Sequence, residues 1–155
     1  MNKLPRISVI GVGVVGGLAA VLGLLYNFTS LTAVLNGGPS DLVEQHGLTY
    51  FYPAFYVMSC ICIACYILLL LCVADLLRVR FRRLWLFTGV LVFEVVYFFS
   101  VGMSWLIPSV GMSIGAATGV ANGGLTVQFL ILFPLWAPIV VWWARMKLEH
   151  EKPAD

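Results

Sequence analysis

The chain has 155 residues, of which 61% are hydrophobic and 10% charged, with a formal net charge of +2. Ordinary soluble domains carry about a quarter charged residues, so water is excluded as the solvent for most of this surface. The short polar segments leave no space for a separate soluble catalytic domain.

A bilayer core of about 30 Å is crossed by roughly 20 mainly apolar residues, and residues 7–26 form the first stretch that qualifies. Within it, Gly11-Val-Gly13-Val-Val-Gly16 has the letters of a dinucleotide-binding fingerprint. That motif requires a βαβ unit and an acidic residue about 20 positions on. The first acidic residue is Asp41, which follows the turn-like Asn36-Gly37-Gly38-Pro39-Ser40 with no strand before it, and residues 7–40 carry no charge. The nucleotide reading is set aside. Gly13 with Gly17, Gly16 with Ala20, and Ala19 with Gly23, each four apart, instead predict a smooth helix face that lets another backbone come close. The run exceeds the apolar core of a signal peptide and no small-x-small site closes it, so it is read as a span. The sequon Asn27-Phe28-Thr29 lies against the span end, too near the bilayer to be used.

In the first loop, Asp41, Glu44 and His46 are the ionisable side chains, and their spacing matches no strong metal site. The second span, residues 53–74, holds Cys60, Cys62, Cys65 and Cys72, so no disulfide framework is expected in the loops. Cys62-Ile-Ala-Cys65 has the form of a redox dithiol, but a working pair needs a surface position where thiolate is stabilised and a partner arrives. Placed about three turns into an apolar span, these cysteines are read as small buried apolar residues. Asp75 and then Arg78, Arg80, Arg82 and Arg83 form a basic linker suited to local ion pairs and anionic lipid headgroups.

Residues 84–107 form the third span, and near its middle stands Glu94, the carboxyl at membrane depth. A carboxylate in hydrocarbon is costly, so the group is expected neutral and donating a hydrogen bond. Its expected neighbours are Cys62, Cys65 and Tyr66 in the second span, Tyr97 one turn away, and the carbonyls of Leu130 and Pro134, freed by Pro134 and Pro138. Two roles remain open: a neutral glutamate tying helices together, or a proton or cation site formed with Tyr66 and Tyr97.

Residues 108–124 contain Gly111, Gly115, Gly119 and Gly123 at intervals of four, either a flexible loop or, if helical, a docking groove. The fourth span, residues 125–144, contains Pro134 and Pro138 and is expected to kink. Trp85, Trp142 and Trp143 mark the inner edge of the bilayer, and Tyr50, Phe51, Tyr52 and Trp105 the outer.

All nine lysines and arginines fall on one side of this four-span layout, at the two termini and the linker between the second and third spans. Basic residues near span ends are retained in the cytoplasm, so both termini are expected there. The reading is an all-α membrane protein of the plasma or bacterial inner membrane, residues 1–155 forming a single up-down-up-down bundle of four transmembrane helices. No family comes into focus from the residues, and no catalytic residue, metal, cofactor or nucleic-acid partner is expected. The expected function is a non-enzymatic accessory or structural subunit packing against other membrane proteins or copies of itself. The alternative is a small oligomeric transporter or channel using Glu94, and a thiol or quinone oxidoreductase comes third.

Overall fold

Leu4–Leu35 is one continuous helix of 32 residues, α1, in the computed structural model of the chain. The structure describes residues 3–36, 51–104 and 132–150. Flanked by apolar side chains, the backbone N–H and C=O groups have no competing partners, and a helix satisfies them internally. Pro5 sits in the first turn, where its missing N–H is not needed.

Residues 27–35, expected as the start of a loop, are therefore helical. Their polar side chains do not break the helix because they bond back onto it. Asn27 Nδ2 donates to the Gly23 carbonyl at 2.8 Å, Thr29 Oγ1 to Leu25 at 2.9 Å, and Thr32 Oγ1 to Phe28 at 3.0 Å. The breaker signal comes later, at Asn36-Gly37-Gly38-Pro39.

Three further helices follow: α2, Phe51–Leu77; α3, Leu84–Ser104; and α4, Phe133–His150. Among the described residues there is no strand. Helix α2 starts ahead of the expected Pro53, which falls harmlessly in its first turn, and runs past residue 74 because Asp75 pairs with Arg83. Helix α4 continues past Ala144, where Arg145 Nε donates to Glu149 Oε1 at 2.8 Å one turn on. Pro138 lies inside α4. Pro134, expected to break the helix interior, instead occupies the first turn, after a turn residue, Leu132, with φ 52°. Residues 105–107 and 125–131 of the expected third and fourth spans lie outside the described residues.

Contacts between side chains show how the helices run. Gly13 of α1 faces Leu77 of α2 and Gly23 faces Tyr66, so these two are antiparallel. The six-residue turn 78–83 folds α3 back along α2, and Arg83 bonds to Asp75 at 3.0 Å. Trp142 Nε1 of α4 donates to Thr88 Oγ1 of α3 at 3.0 Å, and the Trp85 and Trp142 rings meet edge-on at 4.9 Å. Gly16 of α1 meets Phe133 of α4 and closes the ring of four helices. The start of α1, the α2–α3 turn and the end of α4 thus share one end of the bundle, bringing Lys3, Arg6, Arg78, Arg80, Arg82, Arg83, Arg145 and Lys147 to that end.

The core buries large side chains from α2, α3 and α4, Tyr66, Leu69, Phe87, Leu91 and Phe133 among them, whereas much of the inner face of α1 is small. Helix α1 turns Gly13, Gly16, Ala19, Ala20 and Gly23 inward. Outward it presents Ile7, Leu18 and Phe28, each 63% exposed. Helix α4 buries Ala137 and Ala144 together with Phe133 and Val141, and leaves Ile139 70% exposed. Leu4–Thr29 and Ser59–Leu77 are long and apolar enough to cross a membrane, while the described apolar part of α3, Leu84–Tyr97, is shorter.

Candidate functional site

Burial selects one cluster that carries chemistry. On α2, Cys62, Cys65 and Tyr66 stand at i, i+3 and i+4 and form a patch on one face; on α3, Phe93 and Tyr97 are one turn apart with Glu94 beside them at i+1. Packing of α2 on α3 closes the two sets around a cavity of ≈ 10 Å³ lined by these six side chains. Glu94 is 2% exposed, Tyr66 1%, Cys62 3% and Tyr97 7%. The Phe93 and Tyr97 rings stack 6.1 Å apart with 10° between their planes, which holds the Tyr97 phenol against the cavity.

Every side chain expected around Glu94 from α2 and α3 is therefore there. Of the two carbonyls expected from the fourth span, that of Leu130 lies outside the described residues, and Pro134, which opens α4, is not among the residues lining the cavity. A space of this size holds one water molecule at most, so the cluster can store or pass a proton and cannot enclose an organic substrate. Among the described residues, no group of three His, Cys, Asp or Glu side chains converges in a way that could hold a metal ion. The four thiols are free; Cys72 Sγ donates to the Arg83 carbonyl at 3.8 Å.

A residue that the spacing argument undervalued is Gly23. A Cβ at this position would collide with the Tyr66 ring, so the glycine is what lets α1 close over that ring while Tyr66 lines the Glu94 cavity. The signal was present in the Ala19–Gly23 pair, but nothing in the sequence says which ring fills the notch. Gly13, Gly16 and Gly17 likewise face Leu77, Val73 and Phe133 of the same chain, and Ala20 is fully buried. This face packs the bundle's own helices together.

The basic linker divides. Arg83 Nη1 bonds Asp75 Oδ2 at 3.0 Å and reaches the Leu71 carbonyl at 3.4 Å, which ties the turn to α2. Arg78, Arg80 and Arg82 are exposed and form no ion pair among the described residues. The turn itself closes with Val79 N–H donating to the Leu76 carbonyl at 2.8 Å and Arg80 N–H to Asp75 at 2.9 Å, with Val79 at φ 54°. Asn27 of the sequon is fully buried. Gly111, Gly115, Gly119, Gly123, Asp41, Glu44 and His46 lie outside the described residues.

Comparison of the chain with protein-family models, with curated proteins and with solved structures finds no match in any of the three.

Proposed function

We propose that the chain is a non-enzymatic, four-span integral membrane protein of the plasma or bacterial inner membrane, with both termini on the cytoplasmic side. Its proposed work is that of an accessory subunit, packing against partner membrane proteins or further copies of itself. The observation that carries the reading is the outer surface: large apolar side chains such as Ile7, Leu18, Phe28 and Ile139 face outward, while α1 turns glycine and alanine toward its neighbours. Lipid tails are as apolar as leucine, so in a bilayer close backbone approach drives helix packing and large side chains can face outward at no cost. The gathering of basic residues at one end of the bundle supports the orientation.

Among the described residues catalysis finds little support, since Glu94 and its neighbours surround only a water-sized space. A second reading, a proton-conducting or proton-coupled transporter, is favoured by the Glu94 cluster, because intramembrane carboxyls mark proton relays. Glu94→Gln separates the two. On the accessory reading the amide still bridges helices, so abundance and the complex recovered in mild detergent are retained and liposomes show no proton-flux difference from the parent. Loss of a proton flux that the parent protein carries, with assembly intact, would instead establish transport.

A further inference from the structure

On its outer surface the bundle carries a groove of ≈ 470 Å³ between α1 and α2, lined by Gly13, Val14, Gly17 and Val21 on one wall and by Val73 and Leu77 among others on the other. The wall is almost wholly apolar and runs roughly 12 Å along α1. Gly13 and Gly17 form its floor, where α1 and α2 approach closely: a Cβ at Gly13 would lie 3.0 Å from the Leu77 side chain. A Cβ at Gly17 would lie 3.4 Å from Val73, an ordinary contact, so this position tolerates the approach without strain.

One end of the groove is charged. Leu77, the last residue of α2, lines it beside Gly13, and the chain continues directly into Arg78 and Arg80. Arg6 precedes Gly13 by seven residues, two helical turns on the same face of α1. All three arginines are exposed, and none has an acidic partner among the described residues. An apolar trough whose one end adjoins the segments carrying Arg6, Arg78 and Arg80 matches one class of molecule, with a long hydrocarbon tail and an anionic head.

We propose that this groove is a binding site for an anionic phospholipid, its acyl chain lying along Gly13, Gly17 and Val21 and its phosphate held by Arg6, Arg78 and Arg80. Arginine suits that head because its planar fork bonds phosphate oxygens in pairs. Arg83 is not part of the site, being committed to Asp75. The inference rests on the four-span reading, which would bring the basic end of the bundle to the cytoplasmic headgroup layer.

The test is native mass spectrometry of the full chain released from nanodiscs containing equal phosphatidylglycerol and phosphatidylcholine. The parent protein should retain phosphatidylglycerol in preference to phosphatidylcholine. Each arginine near the surface contributes about a fivefold preference for anionic lipid, so the combined Arg6→Gln, Arg78→Gln, Arg80→Gln variant should lose that preference while still holding some lipid. Ala74→Leu, at an exposed position of the groove wall, should displace lipid of either headgroup without disturbing the fold. Equal retention of both lipids by the parent, or a preference unchanged in both variants, overturns the site. So does a disulfide-linked dimer of Val14→Cys in the bilayer, which would show that a second copy fills the groove. Accessibility of Arg80→Cys and His150→Cys from opposite faces of the membrane would overturn the four-span reading instead, a result separate from any lipid count.

Discussion

Val79 stands in the left-handed region with a β-branched side chain, a combination that few residues tolerate. The two hydrogen bonds around it, from Val79 to Leu76 and from Arg80 to Asp75, are those of the helix-ending motif in which glycine normally takes this place. The left-handed conformation costs an L-residue roughly 1–2 kcal/mol, and the Arg83–Asp75 pair across the turn helps hold it. Val79→Gly should therefore raise stability by about 1 kcal/mol, seen as a higher midpoint in a detergent thermal-shift assay. A lower midpoint would mean that Val79 packs in a way that outweighs its backbone strain. Asp75→Asn should move the midpoint the other way, by about 0.5–1 kcal/mol, as expected of a partly exposed pair. An unchanged midpoint would mean that the turn's backbone bonds suffice without it. The acid and the arginine could be read from sequence as a local pair. The strained valine between them could not, because a hydrophobic residue in a basic linker gives no sign of its φ.

Among the elements, α1 decides how the others meet. Its small residues are spaced so that Gly16 receives Phe133 of α4 and Val73 of α2, while Gly23 receives the Tyr66 ring. Gly23→Leu should push Tyr66 out of its seat, loosen α2 against α3 and lower the thermal midpoint. Gly11→Leu, at a position where an added Cβ meets nothing within 4 Å, should leave it unchanged. Equal effects from the two would show that α1 does not pack as described. The four-residue spacing made the existence of a close-packed face legible. Which partner used it was not, since identical glycines would serve an internal neighbour or another protein, and only the positions of Tyr66 and Phe133 decide. Element ends were misread for a related reason: Asn27, Thr29 and Thr32 look polar in sequence but spend their hydrogen bonds on their own helix.

For the molecule as a whole, the four-span proposal predicts that a membrane-impermeant thiol reagent reaches Arg80→Cys and His150→Cys, each in a background lacking the native cysteines, from one and the same face. Labelling from opposite faces would sink it. The Glu94 cluster was legible in advance because depth along two spans restricts which side chains can meet, and Cys62, Cys65, Tyr66 and Tyr97 duly line one cavity with it. The position of Pro134 was misjudged because the start of α4 depends on a turn at Leu132 that proline spacing does not reveal. Helix α1 has one more implication. Its 32 residues measure about 48 Å, and even leaning by 40°, the limit of the usual range, such a rod occupies more thickness than a hydrocarbon layer of about 30 Å provides. On the four-span proposal Arg6 lies at the headgroups, and residues 7–35 at the average lean of about 20° exceed that layer by about 11 Å, which would lift the neighbourhood of Phe28 and Leu35, each 63% exposed, into the headgroup zone on the side away from the arginines. A thicker membrane would draw those two side chains back among the acyl tails, so this protein should favour the thicker of two coexisting bilayers.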